Sequence, residues 1–412
     1  MNPEALLRRL FDRAVAVADP MRSLAAYLPQ KPAGRVVVIG AGKASARMAE
    51  AVEAVWGRCE GLVITRYGYG RPTQGIEIVE AAHPVPDQAG ALATARMLDL
   101  VSGLGPQDFV LALISGGASA LLVAPVAGVT LAEKQAVTAA LLACGAPIAQ
   151  INTVRKHLSR VKGGQLAAAA YPARLLGLMI SDVPGDDLAL IGSGPTVADI
   201  TTPSDARAVL ARWRVAVPAS VTRVLEAPSR VIAPGDVRLA HTHNRIYAAP
   251  AQSLAAAKLL AEAAGVQVQM LGCALEGEAR VVAADMARLA LQARGAGPVL
   301  LLSGGELTVT KRGDGIGGPN AEFCLALAIA LEGAAGIHAI ACDTDGVDGA
   351  AEVAGAMIGP DTLAKAAALG VDAAQALACN DSHRFFAAIG DQVITGPTLT
   401  NVNDFRAILV LP

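Results

Sequence analysis

Short apolar runs rich in Val, Ile and Leu alternate along this chain with longer stretches whose apolar residues recur at helical spacing. The runs predict strands at 35–39, 61–65, 109–114, 175–181, 229–233, 267–272, 298–302, 337–342 and 392–395. The periodic stretches predict helices at 4–18, 43–56, 89–102, 131–144, 162–170, 204–212, 250–264, 277–293 and 320–331. Alternation of this kind specifies an α/β fold with parallel or mixed sheets. The stretch 215–245 holds three prolines and little periodicity, which places a boundary there. The expected organisation is a Rossmann-like α/β domain over 1–230 and a second α/β domain over 231–412.

In such sheets ligands bind beyond the carboxyl ends of the strands, so the residues after each apolar run carry the chemistry. The first is "VVVIGAGKASARM", Val36 to Met48. A dinucleotide fingerprint wants a third glycine where this chain has Ser45, and an acid after the next strand where it has Arg66. A Walker A loop wants wider glycine spacing and Ser or Thr after the lysine, where Ala44 stands. What remains is a tight turn through Gly40 and Gly42 with exposed N–H groups, an anion site, with Lys43 expected in the first helical turn. A tight turn with a solvated lysine is the plain alternative.

"ISGGASALL" brings Ser115, Gly116, Gly117 and Ser119 after a second apolar run. Its glycines allow a ligand to approach the backbone. "INTVRKHLSRVKGGQLA" packs Arg155, Lys156, His157, Arg160 and Lys162 together with no interspersed acid. On one helix Arg155, Ser159 and Lys162 would share a face; a solvated basic face is the alternative. "LMISDVPGDDLALIGSGPT" delivers Asp182, Asp186 and Asp187, then Gly192, Ser193 and Gly194. Clustered carboxylates before a Gly/Ser loop suit Mg²⁺ with phosphate, and one of the Asp186–Asp187 pair is expected to cap a turn. In the second half Ser303, Gly304, Gly305 and Glu306 follow an apolar run, Asn320 opens a helix, and "ACDTDGVDG" presents Asp343, Asp345 and Asp348. "VLALISGGASALL" and "VLLLSGGELTV" echo each other faintly. So many polar turns in both halves point to one site in a cleft between the domains.

Composition narrows the field. Lys plus Arg is 34 and Asp plus Glu is 36 in 412 residues, which gives no electrostatic case for nucleic acid or an anionic membrane. Aromatics are 3%, too few for base-stacking platforms. The N-terminal segment carries Glu4 and Asp12 among helically spaced apolar residues, unlike a signal peptide, and no membrane span is expected. Six scattered cysteines without a C-x-x-C pair suit reduced thiols and a cytoplasmic setting.

Taken in order, "GAGKAS", "HPVPD", "LISGGASALL", "NTVRKHLSRVKGGQLA", "SDVPGDD", "GSGPT", "LEGEAR", "LSGGELTVT", "GGPNAEF", "DTDGVDG", "NDSHRFF" and "TGPTLTNVNDF" resemble the type II glycerate 2-kinases. The C-terminal part of that family is called the MOFRL domain, and some members carry a hydroxypyruvate reductase label. The resemblance implies ATP- and Mg²⁺-dependent phosphorylation of D-glycerate at its 2-hydroxyl, giving 2-phosphoglycerate. It places the family's essential lysine on Lys43. With the residue chemistry above, the expected catalytic residues are Lys43, Arg155 and Asp187, with Asp182 and Asp187 on the metal. Ser115, Gly116, Gly117, Ser119, Lys156 and His157 are expected at the acid substrate. Gly40, Gly42, Gly192, Ser193, Gly194, Ser303, Gly304, Gly305, Glu306, Asn320 and Asp345 are expected at the nucleotide. Pro319 stands where many relatives carry an arginine. Oligomeric state is open. The rival readings are an NAD(P)H-dependent hydroxypyruvate reductase and a non-catalytic sugar-acid binding module.

Overall fold

The computed structural model describes residues 2–295, 297–349 and 351–412. The chain forms two compact units, Ser23–Tyr247 and Met1–Arg22 with Ala248–Pro412.

The Ser23–Tyr247 unit is built on six strands: β1 (Val36–Ala41), β2 (Glu60–Arg66), β3 (Ile76–Ala81), β4 (Phe109–Ile114), β5 (Arg174–Ile180) and β6 (Thr242–Ala248). Their order is β3-β2-β1-β4-β5-β6, and β1 to β5 pair in parallel. Strands β1 and β4 are buried along their whole length, as expected for central parallel strands covered on both faces. Ala41 aligns with Ile64 and Ile114, and Ile114 aligns with Met179, so neighbouring strands finish level. The turns after β1, β4 and β5 therefore leave the same edge of the sheet. A satellite core joins the helices Leu131–Ala143, Ile148–His157, Pro203–Arg212 and Ala219–Glu226 through Val137, Leu141, Val154, Leu210 and Leu225. Local chemistry starts two of these helices. Thr130 with Glu133, and Thr202 with Asp205, form reciprocal capping boxes.

The other unit carries β7 (Gln267–Gly272), the short pair β8 (Gly277–Glu278) and β10 (Leu307–Thr308), β9 (Val299–Gly305), β11 (Ile337–Asp343), β12 (Gly355–Ile358), β13 (Gln392–Val393) and β14 (Asp404–Val410). The main sheet is mixed, in the order β13-β12-β11-β14-β9-β7. Strand β14 runs antiparallel to both β9 and β11, so Asp404 sits in register between Gly305 and Asp343.

The division differs from the expected 1–230 and 231–412. Helix Pro3–Ala18 buries Leu7, Leu10 and Phe11 in the same core as Leu300, Ile340 and Phe405, with Phe11 and Phe405 edge to face. Removing that apolar face from water ties the first helix to the C-terminal sheet. At the other end the first sheet continues to β6, beyond residue 230. The run at 229–233 is irregular rather than a strand, and the stretch 215–245, despite its three prolines, contains the amphipathic helix Ala219–Glu226. The two Ser-Gly-Gly echoes are not equivalent either. The chain leaves the sheet at Ser115, whereas β9 continues pairing with β14 through Ser303, Gly304 and Gly305.

Candidate functional site

The tightest meeting of motifs is at the ends of β1 and β4. Gly42 has φ +141°, and a Cβ there would fall 2.1 Å from Ser115 Oγ. Only glycine allows this turn to pass so close to its neighbour. Gly40 is needed for the same reason, since a Cβ would stand 2.4 Å from the Leu113 carbonyl oxygen. The Lys43 N–H donates to Gly116 O at 2.8 Å, and the Ala44 N–H donates to Ser115 Oγ at 3.0 Å. Helix Ser45–Trp56 begins two residues after Lys43. The lysine therefore springs, half-buried, from the turn itself and not from the first helical turn as expected. Gly117, at φ +81°, completes the constellation: a side chain there would fall 3.0 Å from the His83 ring and 3.3 Å from Lys43 Cγ. The sequence marked His83 only as part of "HPVPD"; its approach to Lys43 comes from the sheet order.

Ser45, where a dinucleotide turn has its packing glycine, is fully buried and donates from Oγ to Leu113 O at 3.0 Å. Arg66, where the ribose acid would stand, donates to Tyr69 Oη at 3.2 Å and lies over that ring.

The Ser119 hydroxyl lies 2.7 Å from Ser193 Oγ, which donates to Asn152 Oδ1 at 3.0 Å. Gly163 and Gly164 donate their N–H groups to the Ser193 and Gly194 carbonyls at 3.1 and 2.8 Å. The 192–194 loop thus brackets the Ser119 turn and the start of helix Gln165–Ala170. Ser193 is fully buried with its single hydroxyl proton engaged, so it braces that turn and offers no donor to a nucleotide.

The basic segment divides. Helix Ile148–His157 ends at His157, so Arg155, Ser159 and Lys162 do not share a helical face. Lys156 forms a buried ion pair with Asp199, and His157 Nε2 is 3.2 Å from Thr201 Oγ1. Burial alone would raise the Asp199 carboxyl, but hydrogen bonds from Lys156 and Thr201 hold it below its usual range. These two residues tie their helix to the 199–201 segment instead of facing an acid substrate. Lys162 is completely buried, its ammonium donating to Ser119 O at 2.8 Å and lying 3.3 Å from Leu122 O. Burial, then the neighbouring Lys134, Arg155 and Lys156, push its pKa well below the ordinary lysine value. The half-buried Arg155 guanidinium meets no protein acceptor among the described residues.

After β5, Asp182 is half-buried at the strand end. Asp187 is exposed and its Oδ1 accepts the Ala189 N–H at 2.9 Å, so it is the turn-forming member of the aspartate pair. Asp186 adopts φ +55°, and its Oδ1 is buried without a hydrogen-bond partner. An unsatisfied buried carboxylate oxygen in a strained turn suits a ligand or ion better than the exposed, capped Asp187. Among the described residues no group of three or more His, Cys, Asp or Glu side chains forms a ready metal cage. Mg²⁺ needs none, because it commonly takes one or two carboxylates and completes its shell with water and phosphate oxygens. Asp182 and Asp186 fit that mode.

The C-terminal candidates mostly face inward. Asn320 is fully buried; its N–H donates to Asp348 Oδ1 at 2.9 Å and its Nδ2 to Asp404 Oδ1 at 2.7 Å. Asp348 also accepts the Ala321 N–H at 2.9 Å, capping helix Pro319–Leu331. Asp404 pairs with fully buried Arg406 at 2.9 Å, and Arg406 donates to Gly304 O at 2.6 Å. Burial pushes the Asp404 carboxyl up to about 6 despite that arginine. Asp345 is fully buried and accepts the Val347 N–H at 2.8 Å. Asn320 and Asp345 are thus internal braces, and Ser303 to Gly305 are sheet residues. Glu306 alone of that expected nucleotide group is exposed. Pro319 occupies the opening of its helix, where a missing N–H is tolerated. The Asp348–Asn320–Asp404–Arg406 network was not foreseen, because its members lie far apart in sequence.

No helix among the described residues is long and apolar enough to cross a membrane.

The chain matches the family described as "Domain of unknown function (DUF4147)" over residues 6–226 and the MOFRL family over residues 299–404. A protein from Agrobacterium vitis named "Putative hydroxypyruvate reductase" is 52% identical, covering 100% of this chain and 95% of that one. D-glycerate 2-kinase from Thermotoga maritima is 38% identical, with both chains covered completely. A crystal structure of glycerate kinase from the same organism aligns over 100% of both chains with a TM-score of 0.88 and 37% identity.

Proposed function

The chain belongs to the MOFRL family of glycerate kinases, and on that premise we propose that it transfers the γ-phosphoryl group of ATP to the 2-hydroxyl of D-glycerate, giving 2-phosphoglycerate and ADP. The observation that carries this reading is the joining of the Lys43 turn to the Ser115–Gly117 turn at one edge of a parallel sheet. That arrangement sets a cation beside a close-packed glycine turn, where a phosphoryl group is held by charge. The turn's own Gly42, Lys43 and Ala44 N–H groups are taken by Ile64 O, Gly116 O and Ser115 Oγ, not exposed as the sequence predicts.

In this reading Lys43 neutralises the transferring phosphoryl group, and Arg155 with the Ser119 turn holds the glycerate carboxylate. The 2-hydroxyl oxygen forms a bond to phosphorus as the bond to the ADP oxygen breaks, and the hydroxyl proton leaves to a carboxylate or water. Positioning and electrostatics supply most of the rate in such transfers. Mg²⁺, held by Asp182 and Asp186, would offset charge on the phosphate oxygens. Asp187, engaged in its turn, is a weaker choice for ion or proton than Asp186. Lys162 has no contact role; it fixes the Ser119 carbonyl and hence the turn.

The reductase name borne by the 52% relative supplies the second reading. Against it stands Ser45 at the helix-packing position of a dinucleotide turn, and Arg66 in place of the ribose acid argues against NAD, although an arginine there would suit the 2′-phosphate of NADP. Paired assays separate the two. Glycerate-dependent ADP formation supports the kinase, and NADPH oxidation with hydroxypyruvate, without ADP formation in the other assay, overturns it.

A further inference from the structure

Beside the Ser119 turn lies a cavity of about 410 Å³ whose lining does not suit glycerate alone. One wall is the 84–86 segment and another is the helix Leu131–Ala143, whose Ala136, Ala139 and Leu142 follow helical spacing along one face. Pro84, Ala136, Ala139 and Leu142 are exposed, so the mouth is apolar and open to solvent. The Gln135 side chain donates to Pro86 O at 2.6 Å and joins the two walls, so the cavity is preformed.

The opposite end is basic. Ser119, Lys134, Arg155 and Lys162 line it, and Lys134 and Lys162 are its most deeply buried members. Both lysines are satisfied by backbone: Lys134 donates to Leu158 O at 2.8 Å and Lys162 to Ser119 O. Arg155 is left with its guanidinium donors open to the cavity. No carboxylate and no aromatic ring is among the described residues that line it. The Arg155 charge has no acidic partner in this described lining, and an anion placed on it offsets the cost of burying that charge. The aliphatic walls would leave glycerate, with oxygen on every carbon, poorly matched, and the lack of rings gives a nucleobase nothing to stack on.

We propose that this cavity binds an aliphatic monocarboxylate, its carboxylate on Arg155 and its chain along Pro84, Pro86, Ala136, Ala139 and Leu142. The proposal rests on the kinase reading in one respect: the Arg155 end is the acid subsite, so the ligand competes with glycerate.

The test uses hexanoate, which has no hydroxyl to phosphorylate. Calorimetric titration of the full chain is expected to show saturable binding. Ala139→Trp, which fills the mouth from an exposed helical position, and Arg155→Gln, which removes the charge, should each weaken it by at least about tenfold, with circular dichroism unchanged. In an active preparation hexanoate should inhibit glycerate-dependent ADP formation competitively with glycerate. Absence of saturable binding, equal affinity in either folded variant, or inhibition that glycerate does not relieve overturns the proposal. Should the wild type never phosphorylate glycerate while hexanoate binds and both variants weaken it, the kinase reading fails and the binding site stands.

Discussion

Ser115 Oγ accepts the Ala44 N–H at 3.0 Å, and this bond welds the turn that carries Lys43 to the turn that ends β4. The weld depends on Gly42, whose missing side chain leaves room for Ser115. Gly42→Ala would insert a methyl 2.1 Å from that oxygen at φ +141°. The expected result is a loss of stability of about 1–3 kcal/mol, with activity falling further than stability does. Urea unfolding and turnover on the same preparation measure both.

Lys43→Ala should keep the fold, since the bonds from the Lys43 and Ala44 N–H groups and from the Thr65 hydroxyl to Gly42 O do not use the lysine side chain. Turnover should fall by about two to three orders of magnitude, with a smaller change in the Michaelis constant for glycerate. Thermal melting and steady-state kinetics distinguish this outcome from general destabilisation. Near-normal turnover would remove the lysine from the mechanism.

Lys156→Met leaves Asp199 buried without its partner ion, at an expected cost of about 3–5 kcal/mol. The double change Lys156→Met with Asp199→Leu should recover much of it, because an apolar pair leaves no charge uncompensated. A substrate-contacting role for Lys156 predicts the reverse: modest destabilisation and a large rise in the glycerate Michaelis constant.

Burial beside Arg155 pushes Lys134 down to about 7 from its ordinary 10.5. Between those values the unfolded chain binds the proton and the folded chain does not. Stability from this group is therefore full above the upper value, is lost as pH falls from 10.5 towards 7, and changes no further below 7. Denaturant unfolding between pH 7 and pH 9 should show the wild type gaining on Lys134→Met as pH rises. A pH-independent difference between the two proteins would contradict the assignment.

Local pattern carried much of this fold. Glycine turns after continuous apolar strands announce themselves, so β1, β4 and β5 and the turns after them were legible. Strands β3 and β14 were not, for physical reasons. "IEIVEA" places Glu77 and Glu80 in an edge strand, and "DFRAILV" hides the Asp404–Arg406 pair within a central one. Either interruption breaks the apolar signal that marks a strand. Strand β6, "THNRIYA", is polar because it lies at the sheet's edge. The same limit applied to the site. Lys43 could be found because its turn is local. The inward roles of Ser193, Asn320 and Asp345 depend on partners or burial that spacing does not encode, such as Asn152 for Ser193 and Asp404 for Asn320. Asp186 and Asp187 look alike in sequence; only the backbone shows which one caps the turn.

The central claim is the transfer of phosphate to one hydroxyl, and the product decides it most directly. Purified protein incubated with D-glycerate, ATP and Mg²⁺ can be followed by NMR with proton–phosphorus coupling, which identifies the phosphorylated carbon. The account predicts 2-phosphoglycerate with a matching amount of ADP, and its loss in Lys43→Ala. Exclusive 3-phosphoglycerate, or no phosphorylated product from a preparation that oxidises NADPH with hydroxypyruvate, would contradict it.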